Sequence, residues 1–224
     1  MSNPTFSLCH ATARLPSGWK PAHDDWMAHA DNPEAIEYIL AVDSADITQV
    51  TAEPPIILVE NKGRQCCVDA WNLAAAHSTG KVIITVADDI YTPPHWDTEL
   101  LKVLGNLTNE KVAEVKSGTS PMDDEWMRCL FISILTRSYY NRYGYVFHPK
   151  FESMYCDVWF TEQARSDEVV VDARHLTFQH KHWIGTTVPY DEVYQKQDSR
   201  ERMDRGLIIL GDVRGERCNK EGHS

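Results

Sequence analysis

The chain has 224 residues, of which 42% are hydrophobic and 25% charged, and its formal net charge is −11 at pH 7. This length and composition predict one domain with a single sizeable core rather than two full domains. The net negative charge argues against nonspecific electrostatic binding to nucleic acid or anionic lipid, because such binding depends on clustered Lys and Arg. We see neither a signal-peptide pattern nor an apolar run long enough to span a bilayer, so we expect a cytoplasmic protein with no membrane partner.

The first half of the chain alternates strand and helix patterns. Apolar, β-branched runs predict strands at residues 5–9, 38–42, 56–60 and 81–86. Segment 63–80 is the clearest helix, since it carries a one-sided apolar stripe and ends at Gly80, a residue suited to a C-terminal cap. Another helix is expected to begin with Thr92 as its cap and a proline pair in its first turn, and to run to Gly105. This alternation predicts a mainly parallel sheet.

The second half is less regular. Strands are predicted at 111–118, 127–135 and around 168–183, and helices at 136–144, 152–165 and 191–206. The last helix is polar and is expected to be solvated. We therefore expect one domain over 1–224, with one half at 5–105, a second half at 106–190 and a polar C-terminal tail at 191–224.

Two adjacent acids, Asp88 and Asp89, follow the fourth predicted strand. In an open α/β sheet such a strand-to-helix turn falls at the carboxyl ends of the strands, where these folds bind ligands. Mg²⁺ and Mn²⁺ prefer oxygen ligands and leave positions for substrate phosphates, so a shared cation would relieve the repulsion between the two carboxylates. The alternative is that both acids are turn residues that accept backbone hydrogen bonds.

Two histidines, His180 and His182, lie two positions apart in an alternating segment. Alternation sends both side chains to the same face of a strand, so the two imidazoles are expected to converge. No Cys and His spacing of a zinc site accompanies them, which argues against zinc. The alternative is that they are ordinary core or surface histidines.

A series of short motifs runs in a fixed order from residue 36 to residue 96. They are a strand that ends in Asp43, Ser44 and Asp46, then Asn61 and Gly63, a helix with Ala70 and Asn72, Gly80, and the acidic turn followed by Pro and Trp. In order and spacing this segment resembles the nucleotide-binding half of the family 2 glycosyltransferases, which have the GT-A fold. The resemblance implies a Rossmann-like three-layer α/β/α sandwich with a mainly parallel mixed sheet. It departs at the first acid of the turn, where the family often has Asp-x-Asp-Asp and this chain has Val86.

The resemblance also implies a nucleoside-diphosphate sugar as the donor. Asp43 would then hydrogen-bond the base or ribose of the nucleotide. Asn61 and Arg14, the latter in the loop after the first strand, would complete the nucleotide pocket. The alternative for Asp43 is a simple turn-forming residue.

The ion implied by the resemblance is Mn²⁺ or Mg²⁺. Asp88 would be its ligand and would also contact the donor, with Asp89 as a second ligand or an orienting group. His182 or His180 would add a further ligand or a partner for the diphosphate, and we slightly prefer His182.

The resemblance extends to residues 149–164, where the family places an acid, often as Glu-Asp, at the start of a helix that faces the acceptor. Asp157 matches the second position, and Cys156 replaces the Glu. In inverting members that acid is the general base, which takes the proton of the acceptor hydroxyl as its oxygen attacks. The alternative for Asp157 is an exposed acid on the polar face of an amphipathic helix.

Together these expectations describe a metal-dependent glycosyltransferase that moves a sugar to an acceptor hydroxyl with inversion. One alternative is a sugar-phosphate nucleotidyltransferase, although residues 10–20 have one glycine where such enzymes usually have a Gly- and Lys-rich phosphate loop. Another is a domain that binds nucleotide sugar or glycan without turnover. The acceptor is undefined; the acidic charge weighs against nucleic acid, and modified DNA bases remain an alternative. Trp126 is a candidate for the acceptor cleft, and Asp123 and Asp124 are expected in a solvated loop.

Overall fold

The computed structural model describes residues 4–50, 52, 55–118, 129–183 and 188–221. The strands in these ranges are β1 (Phe6–Ala11), β2 (Ile36–Asp43), β3 (Ile57–Asn61), β4 (Val82–Val86), β5 (Ile90–Tyr91), β6 (Val112–Lys116), β7 (Ile134–Thr136), β8 (Val170–Thr177) and β9 (Gln179–His180). The α-helices are α1 (Lys20–Ala28), α2 (Cys67–His77), α3 (Trp96–Leu104), α4 (Arg137–Tyr143), α5 (Cys156–Ser166), α6 (Glu192–Gln197) and α7 (Arg200–Glu221).

A seven-stranded mixed sheet forms the centre, in the order β3-β2-β1-β4-β7-β6-β8, and β5 pairs separately with β9. Strands β1 to β4 are parallel to one another, β6 is parallel to β8, and β7 runs antiparallel to both β4 and β6. The carboxyl ends of the first four strands therefore meet at one edge of the sheet. This arrangement confirms the predicted mainly parallel mixed sheet.

Helices cover both faces of the sheet, and each face has its own apolar cluster. Consecutive residues of β4 show the division, because Ile83 packs with the cluster under α2, α4, α5 and α7, whereas Ile84 packs with the cluster under α1 and α3. Trp26 and Trp96 are the largest fully buried side chains of the second cluster. The alternation of β4 thus builds the middle of a three-layer sandwich, as predicted.

The ends of the two predicted first-half helices differ from the structure. Helix α2 is shorter than the predicted 63–80, and its C-cap is Ser78 rather than Gly80. Gly80 instead passes close to β1, where an added Cβ would lie 2.4 Å from Oγ of Ser7. The glycine is therefore explained by this close approach and not by a helix end.

Helix α3 begins at Trp96, after a left-handed His95 with φ of 63°, so the predicted Thr92 cap and the proline pair in the first turn are wrong. Thr92 has a different structural role. Its backbone N–H and hydroxyl donate to Oδ2 of Asp25 at 2.8 and 3.2 Å, which joins the end of β5 to α1. The side chain that suggested a cap is thus used in a tertiary contact.

In the second half, strand β6 and helix α4 confirm their predictions, and α4 ends at Gly144 with a left-handed φ of 75°. The strand predicted at 127–135 is wrong in its described part, where only β7 from Ile134 is extended in the sheet. Leu130 explains part of this difference, because its backbone N–H donates to the hydroxyl of Thr161 at 2.8 Å. Trp126, Asp123 and Asp124 lie outside the described residues.

The C-terminal segment forms two helices, α6 and α7, instead of the single helix predicted at 191–206. Most of its described residues are exposed or half-buried, as expected, but Tyr194, Leu210 and Val213 are buried against the rest of the domain. The long helix α7 lies against α5, with Val213 in the same apolar cluster as Trp159. Among the described helices, none has both the length and the apolar character needed to cross a membrane.

Candidate functional site

The acidic turn lies directly after β4, at the edge where the parallel strands end. It is followed by β5, which pairs with β9 so that Ile90 is opposite His180. The backbone N–H of Lys181 also donates to the carbonyl of Asp89 at 2.8 Å. These bonds bring the predicted histidine segment to the acidic turn.

Asp88 points toward the end of β1 and the loop after it. His10 Nε2 is 2.9 Å from Oδ1 of Asp88, and the hydroxyl of Thr12 donates to Oδ2 at 3.0 Å. The Nε of Arg14 is 4.0 Å from the same Oδ2. Each oxygen of the carboxylate therefore has a partner from one short segment, residues 10–14.

Asp89 points the other way, toward the C-terminal elements. The hydroxyl of Tyr194 in α6 donates to its Oδ2 at 2.7 Å, and His180 Nε2 is 3.5 Å from that oxygen. Burial by itself would raise the pKa of Asp89, but His180 and the Tyr194 hydroxyl outweigh it and hold the pKa well below its usual range. Asp89 is therefore a carboxylate at any physiological pH.

The two histidines do converge, with ring centroids 5.2 Å apart. Strand β9 ends at His180, however, so His182 lies beyond it and not on a shared strand face. His182 packs edge-on against Tyr194 at 4.8 Å between ring centroids. Burial, together with the neighbouring His180, lowers the pKa of His182 and favours its neutral form.

Helix α6 covers this part of the sheet edge and binds Arg14. The Arg14 guanidinium is paired with Asp191 and lies 4.7 Å from the centroid of the Tyr194 ring. Asp191 caps the helix by accepting the backbone N–H of Tyr194. Arg14, predicted as a donor-binding residue, is thus held between the acidic turn and α6.

The predicted nucleoside residues Asp43 and Asn61 are opposite each other at the ends of β2 and β3. The Asn61 side-chain N–H donates to Oδ1 of Asp43 at 2.7 Å, and its Oδ1 accepts the backbone N–H of Gly63 at 3.0 Å. Burial raises the pKa of Asp43, against the opposing effects of Asn61 and of Lys196 in α6. These two residues form a second polar group at the same sheet edge, beside the acidic turn.

Asp157 is the second residue of α5, which follows a left-handed Tyr155 with φ of 68°. Its Oδ1 accepts the N–H of Val158 at 2.8 Å, and its Oδ2 accepts the thiol of Cys129 at 3.5 Å. Burial raises the pKa of Asp157, while the backbone bond, the thiol and the charge of His180 lower it.

The donor set at the acidic turn suits a hard cation, since it has two carboxylates and two imidazoles near one strand end. Within the described ranges, no three His, Cys, Asp or Glu residues are grouped so that they would hold a metal by themselves. An ion shared with a diphosphate needs only one or two carboxylates from the protein. The residues present therefore fit a shared ion rather than a closed protein cage.

Sequence reasoning missed three residues of this site: His10, Asp191 and Tyr194. His10 had one visible signal, because it follows an apolar strand and shares the alternation of Phe6 and Leu8 toward the strand end. Asp191 and Tyr194 had none. Their partners Arg14 and Asp89 are distant in sequence, by 177 and 105 positions.

The family model described as Glycosyl transferase family 2 matches residues 29–160, which is more than half of the chain. A search of curated proteins gives no match. The matched range contains the acidic turn and Asp157.

Solved structures with the same fold include TarS from S. aureus in complex with UDP-GlcNAc, at a TM-score of 0.58 and 12% identity, covering 86% of this chain and 64% of that one. The mannosyltransferase PcManGT from Pyrobaculum calidifontis, in complex with GDP-Man and Mn²⁺, has a TM-score of 0.53 and 17% identity, covering 76% of this chain and 57% of that one. The chain thus spans less than two thirds of these solved chains, and at such identities the likeness shows the fold alone. The family match establishes that the chain belongs to glycosyl transferase family 2, and its fold is the GT-A fold.

Proposed function

We propose that this chain is a metal-dependent, inverting glycosyltransferase that moves a sugar from a nucleoside diphosphate to an acceptor hydroxyl. The observation that carries the proposal is the group of polar side chains at the edge where the parallel strands end. Asp88 contacts His10 and Thr12 there, and Oδ2 of Asp89 lies 3.5 Å from Nε2 of His180. The carboxylates that would face the leaving diphosphate therefore lie at the same edge as Asp43 and Asn61, the proposed nucleoside residues.

The donor would lie along the carboxyl ends of the first four strands. Asp43 and Asn61, at the ends of β2 and β3, would bind the nucleoside. Arg14 would meet the diphosphate with a fork of N–H donors, a geometry that matches phosphate oxygens. The solved relatives support this class of donor, since their bound molecules are UDP-GlcNAc and GDP-Man.

Mn²⁺ or Mg²⁺, when bound, would stabilise the negative charge that develops on the leaving diphosphate. Asp88 and Asp89 would hold it, with His182 or His180 as a further ligand. Asp88 is suited to this role because an ionised carboxylate has about four lone-pair directions, and the hydrogen bonds from His10 and Thr12 use two of them. The presence of Mn²⁺ in the PcManGT complex supports the choice of ion.

Asp157 would accept the proton of the acceptor hydroxyl. Its raised pKa makes it a stronger base than an exposed aspartate, which favours this transfer. Asp157 lies in the first turn of α5, where the helix dipole stabilises the ionised carboxylate that a base requires. Burial, which raises the pKa, and the helix dipole, which favours ionisation, thus act in opposite directions on this carboxylate.

Calorimetry with UDP and with GDP, each with and without Mn²⁺, tests the donor and ion roles. We expect ion-dependent binding of at least one nucleotide, and its loss in Asp88→Ala. Because that change also removes the partner of buried His10, Asp88→Asn serves as a second variant that preserves shape. Asp24→Ala, which removes an exposed acid on α1, is the control and should bind as the unmodified protein does.

Product analysis with a panel of nucleotide sugars then tests the reaction. Release of nucleoside diphosphate is the expected result. Release of inorganic diphosphate from a nucleoside triphosphate supplied together with a sugar phosphate would instead indicate a nucleotidyltransferase, and saturable binding of a nucleotide sugar with neither product would indicate a binding domain. Unchanged nucleotide affinity in both Asp88 variants would contradict the proposed ion site.

A further inference from the structure

A buried histidine connects the core of the sheet to the acidic turn. His10, at the end of β1, has no exposed surface, and neither does the strand residue before it, Cys9. Its Nδ1 is hydrogen-bonded to the hydroxyl of Tyr38 in β2, and its Nε2 is 2.9 Å from Oδ1 of Asp88. Buried polar side chains require partners, and this imidazole uses one ring nitrogen toward β2 and the other toward the turn after β4.

The hydrogen positions on this chain of residues follow from the chemistry of its ends. The carboxylate of Asp88 can only accept, so Nε2 of His10 must carry the proton of that bond. With a neutral imidazole, Nδ1 then accepts and the Tyr38 hydroxyl donates to it, and the hydrogen bonds run from Tyr38 through His10 to Asp88.

We propose that His10, held in its orientation by Tyr38, is a positioning residue for Asp88 in donor and ion binding. This inference rests on the proposed function and extends it to two residues outside the nucleotide pocket. Thr12 bonds to Oδ2 of Asp88 and His10 to Oδ1, so the two bonds together fix the rotation of the carboxylate. One lone pair on each oxygen is then aimed away from β1, toward the open edge of the sheet.

Orientation of this kind has a measurable effect in metal sites. Removal of a group that hydrogen-bonds to a metal ligand typically costs about 10- to 100-fold in metal affinity or activity. The carboxylate of Asp88 has only 10% of its side-chain surface exposed, so water has little access to replace a lost His10 bond. We therefore expect the loss to be expressed in ion binding rather than compensated by solvent.

A purely structural role would give a different result. A pair of buried polar groups can often be replaced by apolar groups of the same shape at little cost in stability. If His10 only filled the core, changing it or Tyr38 would alter the melting temperature and leave ion affinity unchanged. The proposal requires the opposite order of effects.

The main variant is Tyr38→Phe, which removes the hydroxyl that orients His10 and keeps the ring. Its matched control is Tyr139→Phe, because Tyr139 is equally buried and its hydroxyl also donates one hydrogen bond, to Asp167 at 2.8 Å, away from the acidic turn. His10→Leu removes the donor to Asp88 directly. His10→Gln is the conservative variant, since its amide N–H can reach the position of Nε2.

The measurements are the affinity for Mn²⁺ in the presence of UDP and of GDP, and the ¹⁵N spectrum of the His10 ring in ion-free protein. We expect a loss of about 10-fold or more in Mn²⁺ affinity for Tyr38→Phe and His10→Leu, most of it restored in His10→Gln. Tyr139→Phe should bind Mn²⁺ normally. The ring spectrum should show a proton on Nε2 in the unmodified protein and a mixture of tautomers in Tyr38→Phe.

If Tyr38→Phe and His10→Leu fold and bind Mn²⁺ with UDP or GDP as tightly as the unmodified protein, the positioning role is wrong while the proposed function stands. A similar loss in Tyr139→Phe would also overturn it, since the effect would then be general. If the unmodified protein binds neither nucleotide with Mn²⁺, the proposed function fails, and the role of His10 fails with it.

Discussion

Asp157→Asn separates catalysis from stability in this protein, and the structure supplies its own comparison. Asp157 and Asp97 are each the second residue of a helix that follows a left-handed residue. Asp97 accepts the backbone N–H groups of Asp31 and Asn32, both at 2.9 Å, so its two oxygens join α3 to the segment that follows α1. Among the described residues, Asp157 accepts a local hydrogen bond from the backbone of Val158 and a weak one from the thiol of Cys129. One acid is thus committed to the fold, and the other is available for chemistry.

The two asparagine variants should therefore have opposite effects, Asp157→Asn lowering transfer activity and Asp97→Asn lowering the free energy of unfolding. Removal of a general base typically costs at least about 10²-fold in rate, or about 2.7 kcal/mol of transition-state stabilisation, so Asp157→Asn should lose that much transfer activity. Its free energy of unfolding should not fall. The raised pKa means that ionising Asp157 is harder in the folded state than in the unfolded chain, and this costs stability above the unfolded value of about 3.9. Asparagine removes that cost.

Asp97→Asn should behave in the opposite way, because its amide N–H₂ would face a backbone donor in the core. Leaving one buried donor unsatisfied costs about 1–3 kcal/mol in the free energy of unfolding, with kcat unchanged. Urea unfolding and steady-state transfer kinetics are the assays. As the pH is lowered, kcat/KM of the unmodified enzyme should begin to fall at a pH above the usual aspartate range, because Asp157 is protonated there. Near-normal turnover in Asp157→Asn, or an equal loss of kcat in Asp97→Asn, would refute this reasoning.

Three further expectations follow from the contacts at the sheet edge. Asp191→Asn removes the ion pair with Arg14 and should tighten nucleoside diphosphate binding by up to about fivefold in calorimetry, because a solvent-accessible pair is worth about 0.2–1 kcal/mol. Weaker binding would show instead that the pair organises the site. The lowered pKa of Asp191 keeps the pair ionised through the usual aspartate range, and the pair is lost only as pH falls below that range, so the difference between variant and unmodified protein should vanish in strong acid. Asp43→Ala should weaken UDP or GDP binding but leave inorganic diphosphate binding intact, and equal losses for both would contradict a nucleoside role. A chelator should leave the melting temperature of the ligand-free protein unchanged, whereas adding Mn²⁺ together with UDP or GDP should raise the melting temperature by mass action. A lower melting temperature in the presence of the chelator would mean that the ion is structural.

The sequence predicted the parallel part of the sheet well because its strands are short apolar runs buried on both faces. Residues 81–86 illustrate this, since Val82 to Val86 are all buried, and no tertiary contact competes with their β-branched preference. The ends of elements were predicted less well. Thr92 has the composition of a helix cap, yet its hydroxyl and N–H are used by Asp25, which lies 67 positions away. A local pattern does not contain that partner.

The candidate site shows the same division between local and distant information. Asp88, Asp89 and Asp157 could be predicted as candidates because each belongs to a short motif, and the structure places Asp88 and Asp89 at the edge where the parallel strands end. The C-terminal tail was expected to be solvated because its sequence is polar. Its contribution to the site depends on one buried aromatic, Tyr194, whose hydroxyl donates to Asp89, 105 positions away in the sequence.

The adjacent acids that first marked this site are not alike in the folded protein. Asp88 is hydrogen-bonded from the β1 side by His10 and Thr12, and Asp89 from the opposite side by Tyr194. Each negative charge therefore has donors of its own, and the turn does not need a cation in order to form. An ion that binds here is free to come and go with the diphosphate, because the protein has already offset the repulsion between the acids by hydrogen bonds. The folded protein itself offsets the repulsion between the two carboxylates, so the affinity of the ion can depend on the bound donor. In the proposed reaction this dependence would let the ion leave with the product.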